Sequence, residues 1–175
     1  MVAAAFAAAA ALAGCPVLPA DHAFNREVSR LAVHPRSAEL VRSIGLDRNL
    51  HPDFGTRYGI PVTIARRDTP RVPVRFDAYP DESDPGPYPI PRGARVEGGS
   101  DRHVVVLQRG TCRLYELFDA RRRGRGWVAG SGAIFDLRSG RPRPLGWTSA
   151  DAAGLPILPG LARPDEADRG ASAAR

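Results

Sequence analysis

The chain has 175 residues, enough for one domain with a sizeable core and hardly enough for two. Eighteen glycines and 17 prolines exclude a protein of long helices and point to strands, turns and extended loops. All 25 basic residues are arginine and the net charge is +6, which admits a polyanion partner. The arginines are scattered as a GC-rich coding sequence scatters them. The one cluster, Arg121 to Arg125, has no aromatic interleaved as a stacking platform, so nucleic acid is not the expected partner.

In chain order, residues 1–14 read as a signal-peptide-like segment. MVAAAFAAAAALA is too short to span a membrane, and Ala11-Leu12-Ala13 fits a small-x-small cleavage site. The implied location is exported, either secreted or in the periplasm and cell envelope. Leu12-Ala13-Gly14-Cys15 also matches a lipobox, so Cys15 has two mutually exclusive uses: a lipid anchor, or a disulfide to Cys112, the other cysteine. Such a bridge closes a loop of nearly a hundred residues, worth roughly 4 kcal/mol in the chain-entropy account.

Residues 15–163 read as a single β-rich domain and 164–175 as a disordered tail. Asn25–Val28 and Leu31–Val33 look like an extended arm lying on a core. Ser37 reads as the N-cap of a short helix, Ala38–Ile44, stopped by Gly45. His34 and His51 each precede a proline and read as turn residues rather than metal ligands.

Strands are expected at Ile60–Ile64 and Val72–Phe76. The acidic, proline-rich block Tyr79–Pro91 follows as an ordered loop. Asp81, Glu82 and Asp84 offer oxygen ligands for a calcium ion, the one cofactor the sequence suggests, although an Asx-type turn accounts for the same residues.

The best-defined stretch is a hairpin of His103–Gln108 and Cys112–Phe118 around Arg109-Gly110. A two-residue loop would pair Gln108 with Thr111 and set His103 opposite Glu116. One face would then carry His103, Val105 and Leu107 beside Cys112, Leu114 and Glu116. Arg121–Arg125 reads as a solvated hairpin tip, and two further strands follow at Gly126–Gly130 and Ser131–Leu137. Trp147–Gly154 reads as a capped helical turn with Thr148 or Ser149 as N-cap and Gly154 at its end, and Ser149 reads as a cap rather than a nucleophile, since no Gly-x-Ser-x-Gly surrounds it. The expected fold is mainly β: an antiparallel sandwich or jelly-roll-like sheet, with long Pro/Gly-rich loops and one or two short helices.

Several of these words occur together in one family. DESDPGPYPIP (Asp81–Pro91), Asp101-Arg102-His103-Val104, Cys112-Arg113-Leu114-Tyr115-Glu116-Leu117, GSGAIFDL (Gly130–Leu137) and GWTSADAAGLPILPGL (Gly146–Leu161) resemble a family of exported bacterial proteins without an established function. The resemblance covers roughly residues 15–166. It implies pairing of Cys15 with Cys112. His22 and Phe24 stand where the family's opening motif has Asn and Trp. The family continues with further strand-like segments where this chain ends in ARPDEADRGASAAR, so the sheet is expected to be incomplete at its C-terminal side.

Two functions from different classes follow. In the first, a carbohydrate-binding or cell-envelope module stacks sugars of a polysaccharide or other envelope polymer on Tyr79, Tyr88, Trp127 and Trp147. In the second, a hydrolase or lyase acts on polysaccharide with His103 and Glu116 as a general acid/base pair, oriented by Asp101 or Glu97. A hydrogen-bonded structural pair explains His103 and Glu116 equally well.

Overall fold

A computed structural model describes residues 11–49 and 55–167. Most of its regular structure is strand, in three sheets. In chain order the elements are β1 (Ala11–Leu12), β2 (Cys15–Pro16), α1 (Ser37–Ile44), α2 (Gly55–Tyr58), β3 (Val62–Ala65) and β4 (Val74–Phe76). Then come β5 (Val104–Gln108), β6 (Arg113–Phe118), β7 (Arg121–Arg123), β8 (Gly126–Ala129), β9 (Ser131–Asp136) and α3 (Pro164–Ala167).

The central sheet runs β3-β5-β6-β9 and a smaller one runs β4-β8-β7. Neither is purely antiparallel, because β3 lies parallel to β5 and β4 parallel to β8. The short β1-β2 hairpin lies partly within the segment read as signal-peptide-like.

The run Val104-Val105-Val106-Leu107 is apolar at every position because β5 is buried on both faces. On one face Val104 and Val106 join Tyr115, Leu117, Tyr88, Trp127 and Ala129 in a core that draws residues from both larger sheets. On the other, Val105 and Leu107 join Leu114, Ala133 and Phe135 under Cys15, Leu18, Cys112 and Leu158. The Cys15–Cys112 disulfide is formed, with Cα atoms 5.3 Å apart, so the Cys15 sulfur is not available to a lipid. It sews the N-terminal segment to the turn of the central hairpin.

That turn is longer than the two residues expected. Cys112 N–H donates to the Gln108 carbonyl at 2.9 Å, Thr111 Oγ1 donates back to the same residue, and Gly110 takes φ +83°. Gln108 therefore pairs with Arg113, and Val105, not His103, lies opposite Glu116. The slip is of two residues, so the side-chain faces survive it while the His103–Glu116 pairing does not.

Three other expectations change. The arm does not lie on the core: Val28, Leu31 and Val33 are exposed, and α1 buries none of its residues. Arg121–Arg123 is a strand paired with β8, and only Gly124-Arg125 form the hairpin tip. Order continues past Pro164, where Arg163 and Glu166 form a buried ion pair at 2.7 Å. His51 and residues 168–175 lie outside the described residues. No helix among the described residues is long and apolar enough to cross a membrane.

Candidate functional site

A cavity of about 380 Å³ opens where the loop 147–157 lies over the ends of β5, β6 and β9. Its polar lining comes from Asp101, His103, Ser131, Thr148, Ser149 and Asp151; Ile60, Phe118 and Ile157 supply apolar walls, and Tyr79 stands at the edge, 47% exposed.

The loop that makes one wall carries irregular backbone, whose N–H and C=O groups must find partners outside the sheet ladders. Side chains from the scaffold supply them. Ser131 Oγ donates to the Ser149 carbonyl at 2.7 Å, and Glu82 Oε2 accepts from Thr148 N–H at 2.7 Å. Arg143 Nε donates to the Thr148 carbonyl at 2.9 Å. Ser149 Oγ accepts the Asp151 amide, which closes a local turn.

His103 belongs to the same set. Its Nε2 lies 3.1 Å from the Ala150 carbonyl, which can only accept, so Nε2 carries a hydrogen. Its Nδ1 lies 2.6 Å from Glu97 Oε2, and Glu97 also accepts the His103 backbone N–H at 3.0 Å while donating its own amide to the His103 carbonyl at 2.9 Å. Both side chains of the pair are nearly buried, 11% and 12% exposed. With both nitrogens engaged, the ring offers no free lone pair to the cavity.

Glu116 shares the face of the sheet that carries His103 but does not line the cavity. It is fully buried, with Oε2 accepting from Ile157 N–H at 2.9 Å and Oε1 from Leu158 N–H at 3.0 Å. Burial pushes its carboxyl up to about 7, against the two amides, which pull it down, and Asp151 nearby adds to the rise. Among the described residues no hydrogen bond joins His103 to Glu116. They hold the same loop at two points, Ala150 and Ile157-Leu158. Asp101 sits at the exposed rim of the cavity, and Glu97 is the partner of His103.

The aromatic residues separate in the same way. Tyr88 is completely buried, stacked in a tilted arrangement on Tyr115, with its hydroxyl donating to the Asp84 carbonyl at 2.8 Å. Trp127 is 4% exposed, and its ring face is covered by the Arg122 guanidinium 4.5 Å away. Neither can stack a ligand. Trp147 is half-buried beside Arg143, outside the cavity, which leaves Tyr79 as the aromatic on its edge.

Asp84, read as a calcium ligand, accepts from Ile134 N–H at 2.7 Å and pairs with Arg143. Asp81 lies exposed on the preceding one-turn helix, and among the described residues no three His, Cys, Asp or Glu side chains come together as a metal-binding group. His34 Nδ1 accepts the Arg36 amide at 3.2 Å, a turn contact.

Sequence reasoning missed Asp151 and Thr148 as cavity residues, although both lie in the GWTSADAAGLPILPGL stretch it singled out. The available signal was that so long an irregular segment must dock on something. Comparisons with family models, with curated proteins and with solved structures return no match.

Proposed function

We propose that the chain is an exported β-domain that binds a saccharide of the cell envelope in the cavity beneath the 147–157 loop, without turning it over. One observation carries this reading. His103 and Ser149, two of the cavity groups able to do acid/base or nucleophilic work, are committed to structural hydrogen bonds, whereas Tyr79, Asp101 and Asp151 remain open to a ligand. An accessible aromatic beside carboxylate acceptors suits a sugar ring, which presents an apolar C–H face and a rim of hydroxyl donors. The volume falls in the ordinary range of small-molecule sites.

Export is supported by the buried disulfide, which belongs to oxidising compartments, and by the resemblance of the chain to exported bacterial proteins. The core shared by the two larger sheets supports a sandwich-like architecture.

The test is a titration of isotope-labelled protein with envelope mono- and disaccharides, read by amide chemical shifts. Binding should move the amides of Tyr79, Asp101 and residues 148–152, and Tyr79→Ala should weaken it about fivefold, on the scale of an exposed ring contact. Turnover of any saccharide that is abolished by His103→Ala, with melting temperature unchanged, overturns the reading in favour of an enzyme.

A further inference from the structure

We propose that the outer face of the β4-β8-β7 sheet docks a linear acidic polysaccharide, whose uronate carboxylates are taken by Arg75, Arg123 and Arg125. None of these residues lines the cavity beneath the 147–157 loop, so the surface does not rest on the reading of that cavity. The register decides which side chains share the face. Val74 pairs with Trp127 and Phe76 with Ala129, and all four turn into the core, so Arg75 and its partner Val128 face outward. Arg122 pairs with Trp127 and covers its ring, so Arg121 and Arg123 on either side of it face outward too, across from Val128 and Gly126. Arg125 follows at the hairpin tip. With strands about 4.8 Å apart and a rise of about 3.3 Å per residue, the Cα atoms of Arg75 and Arg123 stand about 12 Å apart.

Arg121 is used by the fold, paired with Asp119 and lying 3.8 Å from Asp77. Arg75, Arg123 and Arg125 are exposed, and among the described residues no carboxylate or carbonyl takes any of their guanidinium groups. Four arginines against two aspartates leave the face net positive. What it lacks narrows the partner. Its aromatic residues, Phe76 and Trp127, point into the core, so there is no platform for nucleic-acid bases. None of the exposed large apolar side chains lies on β4, β7 or β8, so the face has nothing to insert into a bilayer. An open sheet face holds a single anion poorly, but it can engage repeated charges along a chain. Guanidinium forks match carboxylates two oxygens at a time, and a polyuronate presents one carboxylate at every sugar.

Binding of the wild-type protein to polygalacturonate is followed by calorimetry, with dextran, polyadenylate, polyphosphate and phosphatidylglycerol vesicles as the alternatives. The triple variant Arg75→Gln/Arg123→Gln/Arg125→Gln is set against Arg30→Gln/Arg42→Gln/Arg48→Gln, which removes the same charge from the exposed arm around α1. Polygalacturonate should bind in preference to every alternative, and more weakly as salt rises. The face variant should lose about tenfold, on the scale of three exposed ion pairs, and the arm variant under about twofold. Equal losses in the two variants would make the attraction one of net charge and overturn the docking face. Polyadenylate, polyphosphate or vesicles bound as tightly as polygalacturonate overturn the polysaccharide. Self-association of the face variant with its affinity unchanged would reduce these arginines to guards of an edge strand. In isotope-labelled protein the polymer should shift the amides of residues 121–126 and leave those of 148–152 in place. The converse pattern, or no binding at all, overturns this surface and leaves the cavity to its own test.

Discussion

Glu116 makes the stability of this protein depend on pH in an unusual direction. Its folded-state carboxyl titrates near 7 instead of 4.5, chiefly because it is wholly buried. Between those two values the unfolded chain has released the proton and the folded chain keeps it. The folded state therefore binds more protons, and stability falls as pH rises. The contribution of Glu116 is complete below pH 4.5 and gone above 7. At about 1.4 kcal/mol for each pH unit, the loss is a little over 3 kcal/mol overall and roughly 2–3 kcal/mol between pH 5 and pH 8.

Glu116→Gln isolates this contribution. The amide keeps one acceptor for the Ile157 or Leu158 N–H and turns a donor toward the other, a pH-independent cost of about 1–3 kcal/mol. Urea unfolding of both proteins, followed by the fluorescence of Trp127 and Trp147, gives the difference at each pH. The advantage of wild type over Glu116→Gln should shrink by roughly 2–3 kcal/mol from pH 5 to pH 8. Profiles that stay parallel within about 0.5 kcal/mol would falsify the reasoning, because the two amides would then hold the carboxylate ionised as well as water does.

Replacing both cysteines by serine opens a loop of 97 residues and should cost about 4–5 kcal/mol; unchanged urea midpoints with and without reductant would refute the bridge. Gly132→Ala puts a Cβ 2.5 Å from Phe76 Cε1 and 2.9 Å from Leu117 Cδ2, between the two larger sheets. About 1–3 kcal/mol should be lost in the same assay. His103→Ala leaves Glu97 buried without its partner and frees the Ala150 carbonyl, for a loss of about 3 kcal/mol. Hydrogen exchange should accelerate at 148–152, and an unaffected loop would mean that His103 does not hold it.

The strands were legible because their signal is local. β-branched runs and period-two alternation located β3, β5, β6, β8 and β9 to within a residue or two. What the sequence hid is pairing. Parallel contacts such as Val62 with Val105 join segments some forty residues apart and leave no local mark. A four-residue turn around Gly110 looks, from Arg109-Gly110, like a two-residue one. Three consecutive arginines do not resemble a strand, yet Arg122 crosses to Trp127 and covers its ring. The same uncertainty misled the reading of aromatics. Composition marks Tyr88, Trp127 and Tyr79 alike, and only the packing separates two core residues from an accessible one.

His103 and Glu116 show why a charged residue in an apolar strand is so easily taken for catalytic. Both readings begin from one fact: such a side chain must have a partner to be buried at all. The partner of each is backbone, 47 residues away for His103 and 41 and 42 away for Glu116, in a loop that has no ladder of its own. A loop of this length over a sheet exposes amides and carbonyls that apolar strands cannot satisfy, so the strands beneath it must carry ionisable or hydroxyl side chains at the points of contact. His103, Glu116 and Ser131 are accounted for in this way, as are Glu82 and Arg143 from the neighbouring loops. What the loop does not use is then informative. Among the described residues Asp101 Oδ2, Asp151 Oδ2 and the exposed ring of Tyr79 are left unused by the fold, and all three residues line the cavity proposed as the saccharide site.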